Sequence, residues 1–390
     1  MAAILKHWRE AATLILVAKT KATAAPLLSN VTKSECQLEK SLFNYKLLML
    51  KRSRKSTFMP NLYVFPGGTA DDADFAADWL DVFKKSCDTD KLFSFLKTGG
   101  VGPYMFSRSR APEFQHIPGE LAFRICAIRE TFEESGVLLV RDATRKVTPN
   151  ESDQTLASVS NFSKDELQKW RQRVDKDPKE FLRLCKELKV VPDVWSLYEW
   201  SNWLTPLSMS VGKRSGRRYD TAFYICVLDH IPDAVQDNKE TVHAQWASPD
   251  SLIADHFNEE SFIAPPQVYE LLRLFNFQDA DKLHQFSVER TSKRVNRYFP
   301  VQVNCTDGVA ILYPGDEWYP ENPDFEGEKE TMVYNGTVEE ASKVCKRRNR
   351  HHPIKPENVN PTDCNIVMTD GHVSPITDPS VIQGVIQAKL

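Results

Sequence analysis

The chain has 390 residues, a length that suggests two or three domain-sized units, and its 41% hydrophobic and 26% charged residues are ordinary for a globular protein. A formal net charge of −3 gives no broad attraction to nucleic acid or to an anionic membrane, so neither is expected as a partner; an anionic substrate has to be met by a local cluster of metal, Arg and Lys. The eight cysteines are dispersed with no CxxC pair, which argues against a zinc ribbon, a redox dithiol or a disulfide framework and reads as free thiols.

Ala11–Ala18 is an apolar run too short to span a bilayer, and it reads as a buried strand. The basic residues around it, Lys6, Arg9, Lys19 and Lys21, make a transit peptide the competing reading. Tyr45–Leu50 reads as a neighbouring strand, Lys51–Pro60 as a basic loop, and Leu62–Phe65 as a short strand entering Pro66-Gly67-Gly68. Ala70–Thr98 has helical spacing in part, and the turn-rich Gly99–Pro118 precedes a helix over Glu120–Ser135. Ser163-x-x-Glu166 and Asp177-Pro178-Lys179-Glu180 are helix-start signatures that place a helical insertion at about 150–200. Strands follow at Ser201–Pro206 and Tyr219–Leu228, then a helix over Pro265–Phe277. Trp195, Trp200 and Trp203 read as core, with stacking on a purine as the alternative. Val301–Thr306 and Val309–Tyr313 flank Asp307-Gly308, a hairpin signal. Lys346–His352 reads as a solvated charge run, and 351–390, with its scattered prolines, as an extended tail.

The chemistry concentrates in Arg129-Glu130-Thr131-Phe132-Glu133-Glu134-Ser135-Gly136-Val137. On a helix Glu130, Glu133 and Glu134 are i, i+3 and i+4, so three carboxylates share one face. Their mutual repulsion is relieved by a hard divalent cation such as Mg²⁺; a solvated acidic face is the bland alternative. Gly136 stops the helix.

This segment resembles the second half of the Nudix box, Arg-Glu-aliphatic-x-Glu-Glu-x-Gly-aliphatic, with Thr131 at the first aliphatic place. The first half of the pattern, Gly, five residues, then Glu, is met only upstream, at Gly68 and Asp74. Asp74 and Arg129 are then 55 positions apart instead of 8, so the box holds about 47 extra residues; Glu120 is the other candidate for its outer carboxylate. A split box of this kind resembles the peroxisomal coenzyme A diphosphatases of the Nudix motif 19 type. LLMLKRSRKSTFMPNLYVFPGG over Leu47–Gly68, Ala122–Ile128, Trp203-Leu204-Thr205-Pro206, Tyr219–Phe223 and Pro265-Pro266-Gln267 carry the likeness, which extends over roughly residues 8–275.

The resemblance implies an α/β Nudix fold, an α/β/α sandwich with a mixed sheet, over 1–280, with the box split between 66–74 and 119–137. A C-terminal extension with a β-hairpin would fill 281–350. It implies hydrolysis of the diphosphate of coenzyme A and acyl-coenzyme A, with Mg²⁺ or Mn²⁺ as cofactor. Glu130, Glu133 and Glu134 would hold the metal and Arg129 would orient them. Gly67 and Gly68 would allow close backbone approach, and Arg52, Arg54 and Lys55 are the candidates for gripping phosphates. Lys213, Arg217 and Arg218 form a second basic loop, and Glu240 or a box glutamate is a candidate general base. Ala388-Lys389-Leu390 is a variant of the Ser-Lys-Leu address and points to a peroxisomal import receptor. The other readings are a Nudix hydrolase for a nucleotide sugar, a dinucleotide or capped RNA, and a catalytically silent module that binds coenzyme A or a nucleotide.

Overall fold

The computed structural model describes residues 8–20, 41–56, 58–96, 104–146, 162–206, 218–293, 295–326, 328–352 and 362–389. Lys6, Lys21, Lys213, Arg217, Leu390 and the side chains of Ala388 and Lys389 lie outside the described residues.

The expected first strand is the twelve-residue Trp8–Lys19. Ala12, Leu14, Leu16 and Ala18 enter one hydrophobic cluster, while Ile15 and Val17 enter another. Both faces are covered, which is why the run is continuously apolar instead of alternating. The strand pairs in parallel with Arg218–Leu228, from Trp8 opposite Arg218 to Ala18 opposite Leu228. Across the sheet the order is Arg297–Tyr298, Tyr198–Leu204, Arg218–Leu228, Trp8–Lys19, Tyr45–Arg52 and Tyr63–Val64, with Gly67–Thr69 added on Trp8–Lys19 and Thr241–Ala247 on Tyr45–Arg52. Its mixed pairing agrees with the expected Nudix sheet.

Trp8–Lys19 has different partners along its length. Ala11–Thr13 lie antiparallel to Gly67–Thr69, whereas Val17–Lys19 lie antiparallel to Tyr45–Leu47. Between them the Leu14 N–H donates to the Pro66 carbonyl at 2.9 Å. The sheet thus forks, and the fork sets Gly67 and Gly68 against the helix Gly119–Ser135.

That helix covers one face of the sheet, together with Phe75, Trp79 and Phe83 from the segment inserted into the box. Trp170 and Phe181, from helices Lys164–Val174 and Lys179–Glu187, complete the layer. The first of these helices carries the cap read from sequence, Ser163 Oγ accepting the Glu166 N–H at 3.3 Å, and just ahead of the second Asp177 Oδ1 accepts the Lys179 N–H at 3.0 Å. Helices Pro249–Phe257, Pro265–Leu274 and Ala280–Glu289 cover the other face. The seven described cysteines are free.

The Asp307-Gly308 hairpin is present, Val301–Asn304 lying antiparallel to Val309–Leu312 in a second, five-stranded sheet. Two sequence expectations need correction there. The described residues of 351–390 are not an extended tail: Thr362–Cys364 pairs with Asn349–His351, and Pro379–Lys389 is a helix. Asp378 Oδ1 accepts the Ser380 N–H at 2.8 Å ahead of that helix, whose Ile382 and Val385 are buried in the second cluster. Asp378-Pro379 was the overlooked start signal. Likewise only the front of Lys346–His352 is solvated; Asn349 to His352 are buried, and Arg350 makes a two-point ion pair with buried Asp316 at 2.7 and 2.8 Å.

Trp200 and Trp203 are core residues tied to a charge. Fully buried Glu270 accepts from Trp200 Nε1 at 2.8 Å, Trp203 Nε1 at 2.7 Å and Ser201 Oγ at 2.7 Å, and it pairs with Arg273 at 3.2 Å. Arg273 in turn donates to the Tyr298 hydroxyl, joining helix, strand and sheet edge. Glu270→Leu leaves Arg273 uncompensated in the interior, and denaturant unfolding should show a loss of about 3–5 kcal/mol. The double variant Glu270→Leu/Arg273→Met should regain part of that loss, the donors of Trp200, Ser201 and Trp203 left without Glu270 keeping the rest; no recovery would mean that the stranded Arg273 charge is not the cause.

Candidate active site

The site is built on the helix Gly119–Ser135. Gly136, at φ +76°, ends it, its N–H donating to the Phe132 carbonyl at 2.8 Å. Arg171 Nε donates to the Glu133 carbonyl at 2.7 Å, placing a cation at the negative end of the helix dipole.

Arg129 is buried beneath the acidic face. Its Nε and Nη2 each meet an Asp74 carboxylate oxygen at 2.8 Å, a two-point fork. Nη1 donates to Glu130 Oε1 at 3.0 Å and to Glu133 Oε1 at 2.7 Å, and Nη2 also donates to the Thr69 carbonyl at 3.1 Å. Asp74 therefore joins the two halves of the box. Glu120 starts the same helix ten residues before Glu130, a rise of about 15 Å, so it stands away from this face.

The glycines meet the helix directly. The Gly67 N–H donates to Glu134 Oε2 at 2.9 Å. Gly67 has φ +154°, and a Cβ there would lie 2.4 Å from the Ala12 carbonyl oxygen; a Cβ at Gly68 would lie 2.4 Å from the Glu130 carboxylate. Backbone and carboxylate occupy the space that a side chain would take.

The carboxylates carry the electrostatic cost. Burial raises Glu130 above the usual range although Arg129 opposes the shift, and burial raises Glu133 to about 8. Glu134 is raised well above its usual value by burial and then by Glu130. Burial acts to lower the Arg129 pKa, but Asp74 and Glu130 outweigh it and hold the guanidinium charged. Among the described residues no three acidic, His or Cys side chains stand so as to enclose an ion, and Glu130 and Glu133 pair with Arg129. The donor set nevertheless fits a hard divalent cation: Glu134 is buried, Glu130 and Glu133 are largely buried beside it, and all three carboxylates share one helix face.

These residues form one end of a cleft of about 1000 Å³. Gly67, Gly68, Arg129, Glu130, Glu133 and Glu134 line it, with Arg52 and Lys55 at its rim. Arg54 is exposed on the same turn and does not line the cleft. Arg52 is held by Ser56 Oγ at 2.9 Å and by the Phe58 carbonyl at 3.0 Å, so it also braces its own loop. Glu240 lines the cleft 3.9 Å from Arg52. Arg218, from the second basic loop, instead donates to the Thr205 and Phe325 carbonyls and stacks over Trp8. The sequence reading missed Lys239, Gln302 and His351 as lining residues; no motif marks them, since they come from separate loops and strands.

The chain is similar to known proteins along most of its length. A family model described as the NUDT19 Nudix domain matches residues 8–274, and one described as the NUDT19 C-terminal domain matches residues 302–361. Acyl-coenzyme A diphosphatase NUDT19 of Xenopus laevis is 40% identical over 383 residues, covering 96% of this chain and 97% of that protein. The proteins of the same name from Gallus gallus and Homo sapiens are 43% and 37% identical, covering 87% and 82% of this chain and the same shares of their own lengths.

The raised Glu133 pKa has a measurable consequence in metal-free protein. A carboxyl whose folded pKa lies near 8 contributes full stability below its unfolded value near 4.5, and loses it as pH rises through 8. Gln resembles the protonated acid. In EDTA at pH 8, Glu133→Gln should therefore melt several degrees above the parent, with the difference vanishing near pH 4.5. A variant that melts at or below the parent at pH 8 would contradict this electrostatic reading.

Proposed function

The chain belongs to the NUDT19 family of Nudix hydrolases, and on that premise we propose that it hydrolyses the diphosphate of coenzyme A and acyl-coenzyme A to adenosine 3′,5′-bisphosphate and (acyl-)4′-phosphopantetheine. The observation that carries the reading is the meeting, in one cleft, of Glu130, Glu133 and Glu134 with the cationic rim of Arg52 and Lys55. The names of the relatives supply the substrate class, and the cleft is large enough for a molecule of that size.

In this reading Glu130, Glu133 and Glu134 hold Mg²⁺ or Mn²⁺. When bound, the ion neutralises diphosphate oxygens and acidifies a water. The rest of the work falls to the chain itself. Arg129 is a positioning residue: fixed by Asp74, it sets the rotamers of Glu130 and Glu133 through Nη1. The Gly67 N–H fixes Glu134 from the opposite side. Arg52 and Lys55 attract the phosphates, and the substrate displaces solvent from the buried carboxylates. We also propose a peroxisomal location through an import receptor, supported by Ala388-Lys389-Leu390.

Incubation with Mg²⁺ or Mn²⁺ and, in parallel, coenzyme A, ADP-ribose and capped RNA should release adenosine 3′,5′-bisphosphate from coenzyme A. Cleavage of another compound with coenzyme A left intact would replace the proposed substrate, and no cleavage of any would favour a silent binding module. Glu134→Gln should lower turnover by more than the roughly 10–100-fold that loss of an outer partner costs a metal site, with the fold retained. For location, deletion of Ala388–Leu390 should leave a tagged protein in the cytosol; unchanged import would refute the address.

A further inference from the structure

The cleft does not end at the acidic helix. It is lined further along by Gln302, Ile311, Tyr313 and His351 from the C-terminal sheet region and by Phe262 and the start of the helix Pro265–Leu274. The two ends differ in chemistry. Near the acidic helix stand carboxylates, Arg52 and Lys55, whereas the described residues lining the far end include no Lys, Arg, Asp or Glu.

Several features make this end unsuited to an anion. Pro265 and Pro266 occupy the first turn of their helix and carry no N–H, so the helix start offers few donors to a phosphate. His351 is held neutral by burial, which pushes its pKa down to about 3. Gln267, the next residue of that turn, is only 7% exposed, and its side-chain carbonyl oxygen is buried without a hydrogen-bond partner among the described residues. A buried acceptor in that state costs free energy until a donor arrives, and the described wall around it carries no ionised side chain.

We propose that the far end is the subsite for the neutral arm of the substrate, with Gln267 Oε1 accepting an amide N–H of the pantetheine unit and the acyl chain lying along Ile311 and Tyr313. The assignment rests on the coenzyme A reading above, and it makes the C-terminal sheet part of the substrate site. A diphosphate at Glu130, Glu133 and Glu134 and an amide-bearing arm at Gln267 use the charged and neutral ends as the chemistry of each requires. Gln267 and Ile311 act as specificity determinants and do not touch the reacting atoms.

Calorimetric titration of the metal-free full-length chain with decanoyl-pantetheine, which lacks nucleotide and diphosphate, tests this directly. The parent should bind it, and Gln267→Leu should bind about tenfold more weakly, the scale of one neutral hydrogen bond left unmade. Ile311→Trp, on a separate element, should weaken decanoyl-pantetheine more than pantetheine itself. Both variants should keep the parent's melting temperature within a few degrees, and Gln267→Leu should raise KM for coenzyme A without changing kcat. No binding by the parent, or parent-like affinity in both folded variants, would overturn the subsite. Hydrolysis of coenzyme A by a parent that does not bind the arm would refute this inference alone. Binding of the arm by a parent that leaves coenzyme A uncut would instead refute the activity and keep the subsite.

Discussion

The guanidinium of Arg129 joins chain segments that lie 55 residues apart, gripping Asp74 with two nitrogens and reaching Glu130 and Glu133 with the third. Burying a cation is costly, and a buried ion pair adds little net stability against an apolar replacement. What it supplies here is geometry. Asp74 also accepts the Asp71 N–H at 2.9 Å, so the first half of the box is closed into a short turn before the inserted segment departs. The insertion can then pack Phe75, Trp79 and Phe83 into the core without separating the two halves.

The other parts of the site follow from that junction. The sheet fork brings Gly67 and Gly68 to the helix, and the absence of side chains there admits the carboxylates of Glu134 and Glu130. Arg171 secures the end of the helix from a second insertion. The result is a strained electrostatic arrangement: three carboxylates are held closer together, and further from water, than their charges favour. Such crowding is the usual signature of a functional site, where stability is given up for chemistry.

Much of this was legible in the sequence, for identifiable reasons. Ala11–Ala18 and Thr221–Leu228 announced themselves because strands covered on both faces must be apolar throughout. Glu130, Glu133 and Glu134 were legible because helical periodicity alone puts them on one face. Which acid completes the box was not, since neither Asp74, 55 positions before Arg129, nor Glu120, nine before it, has the usual spacing of 8, and only the folded path of the insertion separates them. The second half of Lys346–His352 misled because a charge run gives no hint that Asp316 waits to bury Arg350. Gln267 stands in the Pro265-Pro266-Gln267 motif, yet nothing in that motif signals that its side-chain carbonyl is buried without a partner among the described residues.

The part played by the Arg129–Asp74 junction is open to a direct measurement, Mn²⁺ affinity by electron paramagnetic resonance in the parent and in Asp74→Asn. The substitution keeps the size of the side chain but removes the charge that anchors Arg129, so Glu130 and Glu133 should lose their fixed orientation. Affinity should fall by about 10–100-fold while the protein stays folded, as expected for an outer partner that orients metal ligands. Unchanged Mn²⁺ affinity in a folded Asp74→Asn variant would contradict the claim that this ion pair organises the site.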